Sequence, residues 1–129
     1  KLPEAVDAML ELMNNMPKAD KQFNSAKESV LKQIAARKGI IGIGYFDGVI
    51  CDISPNGIAD AIIDAVKLLG PDAVALGSDY DGTVTVSLDT SELAAITDAL
   101  LRAGMDKATI RKIMGGNARR FFEENLPKG

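Results

Sequence analysis

The stretch AVALGSDYDG, residues 73–82, decides the fold, because a short apolar run ends there in two aspartates framed by glycines and a serine. Such a run is typical of a buried strand that carries acids at its carboxyl end. In parallel α/β proteins, ligands bind at that end of the sheet, where the strand tips and the following loops form a crevice. The sequence therefore predicts that Asp79 and Asp81 are site residues.

A second apolar segment, IIGIGYF, lies upstream at residues 40–46 and is apolar on both faces, as expected of a parallel strand covered by helices. Between the two segments, apolar residues recur at helical spacing over residues 58–69, and Gly70 then ends the helix. Strand, helix and strand form one βαβ unit, whose strands run parallel. We therefore expect residues 45–47 to lie beside residues 78–81.

Helices are also predicted on either side of this unit. Ser25 and Glu28 form a capping-box pattern that starts a helix ending before Gly39. Residues 3–16 have the spacing of an amphipathic helix, and residues 14–24 have the composition of a linker. The inner face expected for the Ser25 helix is Val30, Leu31, Ile34 and Ala35, and three more helices are expected near residues 91–103, 106–114 and 117–125.

The predicted fold class is thus α/β and rich in helix, with parallel strands near residues 40–46 and 73–77. Two parallel strands that are apolar on both faces leave open edges that accept further strands. Two explanations remain open at this point. Either identical chains supply the missing strands, or the chain is part of a larger protein.

Composition narrows the class of function. The chain has 129 residues, 47% of them hydrophobic and 26% charged, and a net charge of −3, which fits one globular domain. Nucleic acid is not expected as a partner, because there is no basic cluster with interleaved aromatics. No apolar run approaches the roughly 20 residues that cross a bilayer, and the start lacks the pattern of a signal peptide, so we expect no membrane association and a cytoplasmic location.

Metal ligands are scarce, since the chain contains no histidine and a single cysteine, Cys51. A zinc site built from cysteines and an internal disulfide are both excluded. Cys51 is expected to be a small buried hydrophobic residue. Any site built on the aspartates therefore lacks the commonest metal ligand and proton shuttle.

Each conspicuous motif also has a purely structural interpretation. Asp79 and Asp81 can cap a turn through bonds from side chain to backbone, as aspartate often does. The segment Gly115-Gly116-Asn117 lacks the spacing of a phosphate-binding loop, so a turn between helices with Asn117 as the cap is favoured. Asp47 and Asp52 are interpreted as loop acids.

Three segments together resemble a known family. RKGIIGIGYFDGVICDISPNG (residues 37–57), AVALGSDYDG (73–82) and LLRAGMDKATIRKIMGGNARRFFEENLP (100–127) are similar, in this order and spacing, to the carboxyl-terminal part of the membrane dipeptidase (renal dipeptidase) family. The resemblance covers residues 23–127, whereas the helix and linker of residues 1–22 do not match. It implies the last two βα units of a (β/α)8 TIM barrel, in a family whose members hydrolyse dipeptides with two zinc ions.

The resemblance implies roles for two residues. Asp79 matches the aspartate of the family's last strand, which lies over the metal-bound water and moves its proton. Phe46 matches a strand-end position where some members place an aromatic hydroxyl near the substrate, so phenylalanine keeps the substrate-binding wall and loses the donor. The family's zinc ligands all lie upstream of the matched residues. No metal ligand is therefore assigned, and this chain alone is expected to hold no zinc.

These inferences lead to two functional hypotheses. In the first, the chain is the carboxyl-terminal portion of a zinc-dependent dipeptidase, which is inactive alone and cuts a dipeptide substrate once a complementing chain completes the barrel. In the second, it is a truncated, spliced or engineered barrel fragment without catalysis that folds by self-association as a homo-oligomer. A third class of function is a module that binds a small molecule at the strand tips, but no particular residue supports it.

Overall fold

The structure is a computed structural model that describes residues 20–127, with the exception of the side chains of Asp20, Gln22 and Phe23. The helix predicted for residues 3–16 lies outside the described residues. In chain order the longer elements are α1 (Asp20–Ala36), β1 (Ile41–Gly44), α2 (Pro55–Leu69), β2 (Val74–Gly77), α3 (Ala94–Arg102), α4 (Lys107–Arg111) and α5 (Asn117–Asn125). Single 3-10 turns occupy Tyr80–Gly82 and Thr90–Glu92, and a π-helical turn occupies Lys112–Gly116.

The chain divides after Val30 into two units, and α1 contributes to both. The capping box predicted at Ser25 is wrong, because the helix already includes Asp20 and Ser25 lies in its interior. Residues 20–24, part of the predicted linker, contain no proline or glycine, and nothing in them stops a helix. The predicted end before Gly39 is confirmed.

The expected inner face of α1 is only partly buried. Leu31 and Ala35 are half-buried, but Val30 is 56% exposed and Ile34 is 37% exposed. Helical spacing predicts an apolar face, but it does not show whether the same chain covers that face.

The predicted βαβ unit is confirmed. The strands β1 and β2 are parallel neighbours, in register from Ile41 opposite Val74 to Gly44 opposite Gly77. Helix α2 begins after Ser54, whose hydroxyl oxygen accepts a hydrogen bond from the Gly57 amide at 3.2 Å. The helix thus starts three residues earlier than expected from its apolar residues.

Burial differs between the two strands. Val74 and Ala75 of β2 are buried, as predicted for a strand covered by helices, whereas Gly42 of β1 is exposed and its neighbour Ile43 is only half-buried. β1 is also shorter than expected, because the chain leaves the strand after Gly44. The prediction of a strand apolar and covered on both faces is therefore correct for β2 and wrong for β1.

The core of the second unit lies between α2, β2 and the carboxyl-terminal helices. It consists of buried side chains contributed by each of these elements and by the loops that follow the strands: Tyr45, Ile58, Ala59, Ile62, Val74, Leu88, Ile96, Ala99, Leu100, Ile110 and Ile113. Burying a large aliphatic side chain contributes about 1.5–3 kcal/mol. This core holds β2 in place and so positions the turn that follows it.

The described chain is therefore a helix-rich α/β fold with two parallel strands. Among the helices of residues 20–127, each is too short or too polar to cross a membrane.

Candidate functional site

Asp79 lies two residues beyond the end of β2, at the start of the 3-10 turn Tyr80–Gly82. Its backbone is left-handed, with φ 55° and ψ 28°, a conformation that aspartate tolerates better than most residues. The turn is closed by a hydrogen bond of 2.8 Å from the Gly82 amide to the Asp79 carbonyl oxygen. A Cβ atom at Gly82 would lie 3.1 Å from the Asp79 carboxylate oxygens, so glycine leaves the carboxylate its space.

The Asp79 carboxylate caps nothing. It makes no capping hydrogen bond to the turn, and within residues 20–127 no other donor reaches it. Asp106, by contrast, accepts backbone hydrogen bonds of 2.9 Å from Ala108 and Thr109. A hydrogen bond with the Thr109 side chain, together with these backbone bonds, lowers the pKa of its carboxyl. The structural interpretation of Asp79 as a turn cap is therefore wrong, and its carboxylate is exposed and available for chemistry.

The tip of β1 lies against this turn, as predicted. Tyr45 is 2% exposed, and its ring meets that of Tyr80 edge-on at a centroid distance of 5.9 Å. Burial raises the pKa of Tyr45 to about 12, a hydrogen bond to Tyr80 and that residue's charge raise it as well, and a hydrogen bond with Ser78 lowers it. These contacts join the residues that follow both strands.

The loop after the turn folds back onto the tip of β1. Phe46 pairs with Val86 in an isolated antiparallel bridge, and the Asp47 amide donates to the Thr85 carbonyl oxygen at 3.1 Å. Tyr80 also fixes this loop, because its hydroxyl donates to the Leu88 carbonyl oxygen at 3.1 Å. The two strand tips and the loop therefore form one continuous rim.

Phe46 is half-buried on this rim. Its ring lies close to two glycines, since a Cβ atom would approach it to 3.1 Å at Gly44 and to 3.0 Å at Gly48. The ring thus forms a wall beside the strand tip, while its suggested contact with substrate stays a prediction.

The other acids of this edge are exposed. Asp52 accepts a hydrogen bond of 2.9 Å from the Ser54 amide, which together with the Ser54 side chain lowers its pKa, so it shapes the start of α2 as a loop acid. Asp47 and Asp81 are exposed. Cys51 is exposed as well, so its expected burial is wrong, because it lies in the bend between β1 and α2.

Zinc does not fit the donor set of this chain. The sequence has no histidine, and among the described residues no three cysteine, aspartate or glutamate side chains come together as a metal site. Structural and catalytic zinc sites use at least three protein ligands.

A cavity of about 340 Å³ lies at the opposite, amino-terminal end of the sheet. Its lining includes Arg120, whose guanidinium already donates to the Asp72 carbonyl oxygen at 3.0 Å and to Glu124 at 3.2 Å. The Arg120 guanidinium is thus already hydrogen-bonded to protein groups. Because Asp79 lies at the other end of the strands, this cavity is separate from the candidate site.

Asn117 does not cap a helix. It is 2% exposed, and its side-chain amide donates to the carbonyl oxygens of Pro71 and Val74, both at 2.8 Å. The predicted cap is therefore wrong, and the residue is instead bonded to the start of β2. No local pattern reveals this role, because the partners are 46 and 43 residues away in the sequence.

Comparison with known proteins agrees with the resemblance found in the sequence. The model of the family described as Membrane dipeptidase (Peptidase family M19) matches residues 15–127, so the match begins eight residues before the resemblance found in the sequence. The match contains both strands, the Asp79 turn and the carboxyl-terminal helices. No solved structure matches the chain.

Proposed function

The chain belongs to the membrane dipeptidase family (Peptidase family M19), and we propose that it supplies the proton-handling edge of a zinc-dependent dipeptidase. The observation that supports this proposal is the exposed Asp79 carboxylate. It follows the last described strand, at the position that matches the family's aspartate, and it is not used for capping.

The proposed chemistry of Asp79 is transfer of a proton. A carboxylate within hydrogen-bond reach of an attacking water accepts its proton and returns it to the amine that leaves when the peptide bond breaks. General acid-base catalysis of this kind contributes about 10²- to 10⁴-fold to the rate. The left-handed turn and Gly82 keep the carboxylate at the open end of β2.

The substrate-binding wall is proposed to come from the tip of β1. Phe46 offers an apolar ring without a donor, while its sequence neighbour Tyr45 is buried and bonded within the protein. A dipeptide side chain would thus meet an aromatic surface here, and polar recognition would come from elsewhere in the complete site.

The chain alone is proposed to be inactive. The residues that the structure describes do not fit zinc, so the proposal takes the ligands from the remaining strands of a (β/α)8 TIM barrel, which a complementing chain can supply. The two-stranded sheet fits this proposal, because two strands leave backbone groups unpaired on their outer edges.

The proposal is tested by measuring bound zinc and dipeptide hydrolysis for the chain alone and after mixing with the amino-terminal portion of a family dipeptidase. We expect substoichiometric zinc and no turnover for the chain alone, and turnover after mixing. In the mixture, Asp79→Asn is expected to lower kcat/KM about 10²- to 10⁴-fold. Asp81→Asn is the matched control, because Asp81 is an exposed aspartate of the same turn.

Two results would contradict this function. Stoichiometric zinc with turnover by the chain alone would show that the site is complete without a partner. Equal activity of Asp79→Asn and Asp81→Asn in the mixture would show that Asp79 does not move the proton.

A second candidate is a non-catalytic fragment that self-associates as a homo-oligomer. The observation that favours it is the exposure of β1, whose Gly42 lies uncovered within a sheet of two strands. Light scattering tests it directly, and we expect a discrete dimer or larger closed oligomer. A monomer that stays inactive in every mixture would rule out both candidates.

A further inference from the structure

The motif Gly115-Gly116-Asn117 remains unexplained by the proposed chemistry, although it is among the most distinctive parts of the sequence. It falls where α4 passes through a π-helical turn into α5. Gly115 has φ 145°, which a side chain would make unfavourable, and a Cβ atom at Gly116 would lie 2.9 Å from the Arg111 carbonyl oxygen. The two glycines therefore permit the bend that delivers Asn117 to β2.

The hydrogen bonds between β1 and β2 show that Asn117 contacts one particular edge of β2. The Ile41 amide donates to the Ala73 carbonyl oxygen at 2.7 Å, and the register places Ile41 opposite Val74. Because backbone groups alternate in direction along a strand, those of Ala73 and Ala75 face β1, whereas those of Val74 and Leu76 face away from it. The Asn117 amide, bonded to Val74, therefore lies on the outer edge of β2.

The geometry points to Asn117 as a positioning residue. Its side chain occupies the start of the outer edge of β2, where a neighbouring strand would otherwise bind. Any further strand therefore pairs with β2 from Leu76 onward. A carboxamide carries the same donor and acceptor groups as a peptide unit, so it can mimic the missing neighbour. Of the outward backbone groups of β2, the Val74 carbonyl oxygen is occupied by Asn117, whereas the Val74 amide and both groups of Leu76 have no hydrogen bond to the residues described. Leu76 is three residues before Asp79.

This assignment rests on the proposed function only where it concerns catalysis. A strand that completes the sheet would begin its pairing beside the Asp79 turn. Asn117 would thereby fix the register of the completing strand relative to the carboxylate. The residue acts through β2 and touches neither substrate nor reacting atoms.

The first test uses the chain alone. Asn117→Asp keeps the size of the side chain and loses the amide donor, whereas Asn117→Leu keeps the approximate size and loses all polarity. We expect amide hydrogen exchange, followed by NMR, to become about ten- to a hundredfold faster at Ala75 and Gly77 in both variants, because two hydrogen bonds that hold the strand are lost. Exchange unchanged in Asn117→Leu would overturn the proposal, because packing alone would then account for the residue.

A pH series separates hydrogen bonding from packing. Only a protonated carboxyl at position 117 can donate to Val74 or Pro71, so folding favours the protonated form of the Asn117→Asp side chain and raises its pKa. Its protection from exchange is therefore expected to be recovered in part below about pH 4 and to be lost as the pH rises. Asp72, paired with Lys112 at 2.7 Å nearby, is present in both variants, so its effect is cancelled by comparison with Asn117→Leu. Identical pH profiles in the two variants would overturn the proposal.

The second test uses the mixture with the amino-terminal portion of a family dipeptidase. We expect Asn117→Leu to lower kcat at saturating partner concentration, and Asn117→Gln to restore part of it by reaching one of the two carbonyl oxygens. If the wild-type mixture is inactive, the proposed function fails, and the exchange experiment still decides the role of Asn117. An active mixture in which Asn117→Leu matches the wild type would overturn the positioning role.

Discussion

Replacing Tyr45 by phenylalanine is expected to remove a loss of stability at alkaline pH, so that the variant is the less stable protein at neutral pH and the more stable one at strongly alkaline pH. The Tyr45 hydroxyl is buried between the strand tips, where burial and contact with Tyr80 raise its pKa from the ordinary 10.0 to about 12, against the opposing effect of the hydrogen bond with Ser78. The raised pKa means that the folded chain binds this proton more tightly than the unfolded chain does. Its contribution to stability is therefore fully present below pH 10 and is lost as the pH rises toward 12.

The structure sets the size of both effects. A rise of about two pKa units corresponds to a loss of about 2–3 kcal/mol in the free energy of unfolding once Tyr45 ionises. At neutral pH, Tyr45→Phe loses hydroxyl hydrogen bonds worth about 0.5–1.5 kcal/mol and leaves the ring packing in place. The wild type should therefore be the more stable protein at about pH 8 and the less stable one at about pH 12.

Urea unfolding, followed by circular dichroism across this pH range, measures the difference in the free energy of unfolding between the two proteins. Effects of alkaline pH that are common to both proteins cancel in this difference. Absorbance gives an independent check, because the chain has two tyrosines and no tryptophan, so Tyr80→Phe leaves Tyr45 as the sole phenol. The pKa of Tyr45 should stay raised in this variant through burial, the largest cause, although the contribution of Tyr80 is lost. Stability curves that stay parallel up to about pH 12 would refute the reasoning, as would an ordinary pKa for the remaining phenol.

Substitutions at three further positions test the packing that supports the site, each by the free energy of urea unfolding. Gly57→Ala should lose about 1–3 kcal/mol despite the better helix propensity of alanine, because its Cβ atom would lie 2.2 Å from the Asp52 carbonyl oxygen; a gain would contradict this. Ile62→Ala should lose about 2–5 kcal/mol and Ile62→Val about 0.5–1.5 kcal/mol, because the side chain is fully buried; equal losses would contradict a tightly packed core. Thr83→Gly should gain up to about 1 kcal/mol, because Thr83 is exposed and held at φ 57°, and a loss would show that its side chain is needed.

Local signals in the sequence predicted α2 and β2 well. The apolar spacing of α2 and Gly70 at its end describe that helix, and β2 was expected only one residue longer than it is. The start of α2 was missed because Pro55 and Gly57 suggest a loop, although proline suits the first helical turn. The predicted β1 is too long because Tyr45 and Phe46 extend its apolar run. These two residues pack against the turn and the returning loop and do not belong to the strand.

The candidate site was predictable in composition but not in geometry. The carboxyl end of a strand places Asp79 at the ligand-binding edge of the sheet, and parallel pairing brings Tyr45 beside Ser78. The left-handed backbone of Asp79 and the return of Val86 onto Phe46 depend on contacts across the fold, which no short pattern records. Asn117 was assigned as a cap because a cap is a local interpretation, whereas its true partners lie in a distant strand.

The strand tips owe their arrangement to side chains and a loop more than to the sheet. The ladder ends at Gly44 and Gly77, before the site begins, and two parallel strands alone form a marginal sheet. Beyond the ladder, the geometry of the turn is maintained by the Tyr80 bond to Leu88, the Tyr45 ring and the Phe46 bridge to Val86. A completing strand would thus dock against an Asp79 turn that is already formed, so complementation should depend on pairing at Leu76 rather than on folding of the catalytic turn.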